Sequence, residues 1–251
     1  MTTDVRVMTR RGLTLMVRSP MTVAMAAIMP IILLTLMSVS FGKMVLPGAG
    51  VAEYVQYAAP VFTVMGVTFG ALSTAIATQQ DRTSGFDDRL RVSPISPVAP
   101  FAGRILADAA RNVGAVAVVS AVAVAMGLRW HNGVGGAVLY FVLPVIFGFG
   151  IAWMMVAIAT YVDSAETAVS ATNALLLLLT FLSTGFVKLH DLPGWAQPIA
   201  AANPISHVAQ AMRGAASGGD YSGEVVATIA WAIGLTLVCG LLAVRGYSRR
   251  V

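Results

Sequence analysis

Charged residues are scarce in this sequence. Asp, Glu, Lys and Arg make up 11% of its 251 residues, whereas a soluble domain usually carries about 25%. Hydrophobic residues account for 57%. This shortage of charge excludes a water-facing globular protein. It predicts an all-α polytopic membrane protein whose single transmembrane domain occupies residues 1–251.

Cysteine and recognisable catalytic motifs are also nearly absent. The one cysteine, Cys239, lies in an apolar segment, so no disulfide can form within the chain. The sequence lacks the Walker A, HExxH and GxSxG patterns of ATPases, zinc proteases and serine hydrolases. His131, His190 and His207 lie far apart, without the spacing of a metal site. We therefore expect no enzyme activity, no metal and no cofactor on this chain itself.

Unpaired carboxylates, lysines and histidines are missing from the middle of the long apolar segments. Ion-coupled carriers and voltage sensors generally use such groups, so their shortage argues against secondary transport. Methionine and phenylalanine are frequent there instead. Such adaptable side chains suit a path for lipophilic compounds, although most of them will serve packing or face lipid.

Six segments reach the roughly 20 apolar residues that a helix needs to cross the bilayer. We predict spans at 21–41, 54–77, 105–128, 136–160, 167–187 and 225–244. Arg104, Asp108 and Arg111 at the third span are spaced i, i+4 and i+7, so we expect this cytoplasmic ion-pair ladder to pair internally. The helix there should project below the bilayer before it inserts. The fifth span starts with Asp163-Ser-Ala-Glu166, a capping-box-like pattern.

Lys and Arg are distributed unevenly between the two sides that these spans define. Twelve of the sixteen lie in the amino-terminal segment, in the connection between the second and third spans with the first turns of the third, and in the carboxyl tail. The other four are Lys43, Arg129, Lys188 and Arg213. The positive-inside rule therefore places both termini in the cytoplasm, with the chain in the cell (inner or plasma) membrane. An even number of spans agrees with this orientation.

The amino-terminal segment 1–20 is too short and too basic to span the membrane. Its apolar residues alternate with Arg6, Arg10, Arg11 and Arg18, which predicts an amphipathic helix on the inner membrane surface. Two interpretations stay open. The helix is either an electrostatic anchor on anionic lipids, or it also contacts a cytoplasmic partner.

The segment 79–97 is the most strongly charged part of the chain between apolar spans. Gly85 and Pro94 bracket a short run that includes Phe86 and Leu90, which predicts a short helix on a membrane-proximal loop. The charged residues of the segment include Asp81, Arg82, Asp88, Arg89 and Arg91. A solvated loop is the alternative, but the apolar side chains favour docking of a cytoplasmic partner.

The connection 188–224 on the opposite side contains regularly placed apolar residues. Asn203 followed by Pro204 has the pattern of an N-cap and a first-turn proline. We predict two short outer re-entrant helices that lie on or dip into the outer leaflet, with Asn203, Pro204 and Arg213 at an outer gate. A plain interfacial hairpin is the alternative.

Gly66 and Gly70 form a GxxxG pattern in the second span. Small residues at this spacing permit close approach of two helices. The seam would lie either inside one chain or between two subunits.

Three patterns together carry a family resemblance. They are Asp81-x3-Gly85-x2-Asp88-Arg89-Leu90-Arg91-x2-Pro94, Gly103-Arg104-x3-Asp108-x2-Arg111-Asn112, and Asn203-Pro204 followed by Arg213-Gly214. On these residues the chain resembles the ABC-type-2 exporter permeases, and most closely their daunorubicin-resistance (DrrB-like) membrane subunits. Thr83 and Ser84 depart from the family, which has charged residues just before the glycine.

The resemblance implies six transmembrane helices that form half of a homodimer or heterodimer. It also implies a separate nucleotide-binding subunit, which holds ATP and Mg²⁺ and contacts the amino-terminal connecting helix and the 79–97 coupling loop. Asp163 and Glu166 would make a second coupling contact. The implied function is export of drugs or lipophilic metabolites, and hence antibiotic resistance. The alternatives are export of lipid or glycolipid by the same machinery, or an autonomous carrier or channel. No nucleic-acid partner is expected.

Overall fold

The computed structural model describes residues 2–18, 20–40, 42, 48, 50–84, 99–162 and 164–248. In these ranges the regular elements are ten α-helices and one 3₁₀ turn at Leu189–Asp191. The helices are α1 Thr2–Arg18, α2 Pro20–Ser40, α3 Val51–Gly70, α4 Leu72–Thr83, α5 Ala99–Ala125, α6 Gly133–Tyr161, α7 Ala165–Phe181, α8 Gln197–Ala202, α9 Pro204–Ser217 and α10 Ser222–Ser248. The predicted all-α class is confirmed.

Four helical segments are long and apolar enough to cross a bilayer. They are Val51–Asp81, Phe101–Ala125, Gly133–Tyr161 and Ser222–Gly246. The first joins α3 and α4 through Ala71, whose N–H donates to the carbonyls of Val67 and Thr68 and so continues the helical path. The described apolar part of α2, Ala27–Ser40, and α7 are shorter. The count of six spans therefore stays a prediction.

Two predicted boundaries differ from the structure. Residues 79–83 belong to α4, so the predicted 79–97 loop begins later than expected. The helix continues because Gln79 and Asp81 have partners on neighbouring helices. Helix α7 ends at Phe181, whereas the fifth span was expected to continue to residue 187. It ends there because the carbonyls of Leu179 and Leu182 bond to a side chain outside the helix.

The main apolar core lies where α3, α6 and α9 meet. It includes Phe62 from α3, Phe147 from α6, and Ile205 and Met212 from α9, all of them almost completely buried. Helix α9 therefore packs inside the bundle rather than lying on its surface. Burial within protein is the condition under which a short helix and its ends are tolerated at membrane depth.

Helix α10 packs along α6 and α9 and leaves one side of its surface exposed. The backbone of Ala232 comes close to Gly150, and Gly246 lies against Tyr161. The opposite side of α10 exposes Leu237 and Leu241 among other apolar residues. At its start, the hydroxyl and the N–H of Ser222 donate to Asp220, which lowers the pKa of that carboxyl.

Candidate functional site: an inner helix junction and an outer clamp

A row of polar side chains joins α4 to the first half of α5. It consists of Thr74, Thr78 and Asp81 on α4 and Arg104, Asp108 and Arg111 on α5. Each set follows the spacing i, i+4, i+7, which places its members on one face of its helix. We call these six residues, with Arg11 of α1, the inner junction, because the orientation predicted from the sequence places them towards the cytoplasm.

The contacts of the inner junction run across the two helices as well as along α5. Arg104 pairs with Asp81 and donates to the Thr78 hydroxyl at 2.6 Å. Asp108 accepts a hydrogen bond from Thr74 and pairs with Arg111, with 2.7 Å between Nη1 and Oδ1. The expected pairing within one helix therefore describes Asp108 and Arg111, whereas Arg104 turns to α4. The row holds α4 and α5 in register, and four of its six residues are buried: Thr74, Thr78, Asp108 and Arg111.

Asp81 also connects helix α1 to this row. The Arg11 guanidinium lies 3.1 Å and 3.4 Å from the two Asp81 oxygens. One carboxylate thus receives two guanidinium groups, a form of contact that is strong when both are hydrogen-bonded. Three helices that are separate in the sequence meet at this single side chain.

Steric fit brings α1 and α5 together beside the ion pairs. A Cβ placed on Gly103 would lie 2.9 Å from backbone atoms of Met8 and Thr9, and one on Gly12 would lie 2.7 Å from Ala107. These distances are shorter than real Cβ contacts. The two glycines therefore allow α1 to pack directly on protein, with Arg6 and Arg10 on its exposed side.

Gln79 extends the contacts of α4 to a further helix. Its amide nitrogen donates to the carbonyls of Ala159 and Val162, at 2.7 Å and 2.9 Å. These carbonyls lie at the carboxyl end of α6, where the last carbonyls of a helix have no N–H donor within that helix. The next helix begins at the N-cap Ser164, whose hydroxyl accepts from the Thr167 N–H. The cap is thus Ser164 and not Asp163, which lies outside the described residues, while Glu166 is exposed in the first turn.

Several predicted coupling residues cannot be placed. Gly85, Phe86, Asp88, Arg89, Leu90, Arg91 and Pro94 lie outside the described residues, and the side chains of Arg18 and Arg82 are not described. The described part of the predicted coupling segment is its helical start, up to Ser84. That part carries Asp81 and Gln79, so the inner junction lies next to the start of the predicted coupling loop.

On the opposite side, Asn203 connects the end of α7 to the start of α9. Its amide nitrogen donates to the carbonyls of Leu179 and Leu182 at 2.7 Å and 2.8 Å. Its oxygen accepts from the N–H of Ile205 at 2.8 Å. The predicted N-cap with Pro204 at the first position is confirmed. The same side chain also caps α7, which the sequence did not indicate.

Arg213 of α9 holds the turn that follows α7. Its Nη1 donates to the carbonyl of Thr184 at 2.9 Å and its Nη2 to that of Gly185 at 2.6 Å. Its Nε donates to the carbonyl of Tyr57 on α3 at 2.7 Å. The guanidinium also lies 3.9 Å from the centre of the Tyr57 ring, within the range of a cation–π contact. One arginine thus joins α3, α9 and the turn after α7.

Two further α9 side chains contact Thr184. The Ser206 hydroxyl accepts from the Thr184 N–H at 2.9 Å, and Gln210 donates to the Thr184 hydroxyl at 2.9 Å. Ser206, Gln210 and Arg213 lie on one face of α9 at i, i+4 and i+7. We call Asn203, Arg213 and these contacts the outer clamp. On another side of α9, His207 lies 2.6 Å from Glu224 at the start of α10.

The predicted glycine seam is buried inside the chain. Gly66 and Gly70 are both among the buried residues of α3. Burial by the chain's own helices supports the first of the two alternatives, packing within one chain.

The functional residues that sequence reasoning missed are uncharged: Tyr57, Thr74, Thr78, Gln79, Thr184, Ser206 and Gln210. Polar residues inside apolar segments are the signal that could have found them, because each needs a buried partner. Within the described residues no group of three His, Cys, Asp or Glu could hold a metal ion. The two arrangements connect helices that are distant in the sequence.

In the described residues the fold is an all-helical bundle with four membrane-length helices, the architecture of a polytopic membrane protein. The chain belongs to the ABC-2 type transporter family, whose family model matches residues 3–216. It is 31% identical over 245 residues to the "Probable doxorubicin resistance ABC transporter permease protein DrrC" of Mycobacterium tuberculosis, which covers 96% of this chain and 87% of that protein. It is 30% identical over 223 residues to the "Daunorubicin resistance ABC transporter permease protein DrrB1" of Streptomyces coeruleorubidus, with 89% and 78% covered.

The chain is accordingly a membrane permease subunit of an ABC transporter and not the subunit that hydrolyses ATP. Family membership implies partnership with an ABC nucleotide-binding subunit and a multi-pass location in a membrane. The earlier alternative of an autonomous carrier or channel does not fit this family.

Proposed function

We propose that this permease exports drugs or other lipophilic compounds, using ATP and Mg²⁺ bound to a separate nucleotide-binding subunit. Two permease subunits form the pathway, with both termini in the cytoplasm. The observation that carries the proposal is the family match combined with relatives named for doxorubicin and daunorubicin resistance. Those names favour drug export over export of lipid or glycolipid.

The inner junction supplies a route by which a cytoplasmic partner can move the spans. In this proposal the ATP-binding subunit contacts α1 and the coupling segment after α4. Because Asp81 contacts both Arg11 and Arg104, movement of either segment is transferred to α5. ATP binding then shifts the population from an inward-open to an outward-open state.

The outer clamp supports the proposed gate at the other side. Arg213 joins the turn after α7 to α3, so these elements stay together while the clamp is intact. A tilt of α3 and α4 that begins at the inner junction would pull on Tyr57. Release of the Tyr57 contacts would open a path between α3 and α9.

Reconstitution tests the proposed function directly. The chain is purified with the ATPase subunit it binds and placed in inside-out proteoliposomes. We expect ATP-dependent uptake of doxorubicin, and none when the Walker A lysine of the ATPase is replaced. The same vesicles with a fluorescent phospholipid test the lipid alternative. Doxorubicin uptake without ATP, or uptake of phospholipid alone, contradicts drug export, and the mass of the complex gives the number of permease subunits.

A further inference from the structure

Gln79 and Asp81 lie two residues apart on α4 and contact different helices. Asp81 contacts Arg11 and Arg104, whereas Gln79 contacts the backbone at the end of α6. Residues two apart on a helix do not share a face. The last turns of α4 are therefore connected on both sides at once.

The chemistry of the Gln79 contact is specific to an amide. The side chain is 1% exposed, and its NH₂ group carries two donors and no charge. The two carbonyls at 2.7 Å and 2.9 Å use both donors. A carboxylate or a thioether of similar size would offer no hydrogen to either carbonyl. Glutamine thus suits this position because it caps the end of a helix belonging to another part of the chain.

We propose that Gln79 is a positioning residue that fixes the α6–α7 connection to the end of α4. The inner ends of α1, α4, α5 and α6 then move as one body when the nucleotide-binding subunit acts. Asp81 secures α1 and α5 to this body, and Gln79 secures α6. The inference rests on the proposed function, and it adds that the two cytoplasmic connections are not independent levers.

Loss of the amide should separate the two connections. Without the cap, ATP binding still moves the end of α4, because the nucleotide-binding subunit is proposed to contact the segment after it. The α6–α7 connection no longer follows, since its direct hydrogen bonds to Gln79 are gone. ATP hydrolysis then continues with less export per ATP.

The test uses two neighbouring glutamines as variant and control. Gln79→Met keeps the length of the side chain but removes both donors, whereas Gln80→Met changes an exposed residue. Spin labels are placed at Ser84→Cys and Thr167→Cys in a Cys239→Ala background, in the complex with its ATPase in nanodiscs. The distance distribution between the labels is measured without nucleotide and with trapped ATP–vanadate.

We expect a narrow distribution with the same mean in both states for the parent and for Gln80→Met. For Gln79→Met we expect a nucleotide-dependent change of the mean and roughly a twofold broadening. The loss of hydrogen bonds should also reduce export per ATP about fivefold. A merely structural role would lower the yield of folded complex but would not make the label distance depend on nucleotide. Gln79→Asn shortens the side chain by one methylene and so moves the amide away from the two carbonyls. It should act like Gln79→Met and replaces it in the test if Gln79→Met does not fold.

The results separate this inference from the proposed function. If Gln79→Met and Gln79→Asn match Gln80→Met in both states, the inference is overturned while ATP-driven export stands. If the parent chain binds no ATPase, the proposed function fails. The distance between the two labels can then still be measured in the chain alone. If Gln79→Met does not broaden that distance distribution, the inference is overturned as well.

Discussion

The inner junction and the outer clamp connect helices by different kinds of interaction. At the inner junction Asp81 meets two guanidinium groups, and Asp108 meets a third. At the outer clamp the cation of Arg213 donates to three backbone carbonyls. No carboxylate among the described residues forms an ion pair with it. The first site is mainly ionic, and the second consists mainly of hydrogen bonds to the main chain.

The difference matters because the two interactions depend differently on distance and on salt. Ion pairs act over several ångströms and are screened by mobile ions where water reaches them. Hydrogen bonds to carbonyls are directional and weaken steeply as their geometry is lost. A region that transmits movement benefits from the first kind, whereas a region that opens in one step benefits from the second.

The largest effect is expected from breaking the outer clamp. Arg213→Leu leaves three carbonyls without their donor and removes the cation–π contact, so we expect the free energy of unfolding to fall by about 3 kcal/mol. Urea unfolding in detergent measures it. Arg129→Leu is the control, since that arginine is exposed and also donates to carbonyls. Equal losses for the two variants would show that the clamp has no special role.

A smaller loss is expected from separating α1 and α5 sterically. Gly103→Ala forces a methyl group against the backbone of Met8 and Thr9, which should cost about 2 kcal/mol. Gly135→Ala in α6 is the matched control, because nothing lies within 4 Å of its added methyl group. Thermal unfolding and proteolysis of α1 report the effect. An α1 that stays protected in Gly103→Ala contradicts the close packing.

The ionic part of the inner junction should contribute less, and in a way that depends on salt. Asp81→Asn weakens the contacts with both Arg11 and Arg104, and we expect a loss of about 1–2 kcal/mol at low ionic strength. That loss should shrink as sodium chloride rises to about 1 M. The loss caused by Arg213→Leu should stay nearly constant over the same range. Parallel salt dependence of the two variants would remove the distinction between the two regions.

The exposed arginines of α1 should have the smallest effect on folding. Replacing Arg6 and Arg10 by Ala should leave the unfolding midpoint unchanged, because both are exposed. The double variant separates the two interpretations of α1. If flotation with phosphatidylserine vesicles weakens while the ATPase stays bound, α1 is a lipid anchor. If binding of the ATPase weakens on neutral lipid, α1 contacts the partner.

Composition and local sequence pattern predicted some features of this molecule. The features that depend on how the helices pack could not be predicted in this way. The Asn203-Pro204 helix start and the all-α class could be predicted because they depend on neighbouring residues and on composition. The pairing of Arg104 with Asp81 could not, since it depends on how α4 and α5 align in space. The partners of Gln79 could not be predicted for the same reason. Its polarity indicates a buried partner, but the partners are backbone carbonyls about eighty residues away, and their position depends on how α4 and α6 pack.

Asn203 caps both the end of α7 and the start of α9. The residues between these two helices are therefore not needed to cap either of them. Gly194, around which 4 Å of open space would accommodate a side chain, is therefore a natural insertion point for an epitope tag. If both termini are cytoplasmic, as proposed, antibodies should bind a tag at this position on intact cells, and the orientation of the permease can be mapped in this way.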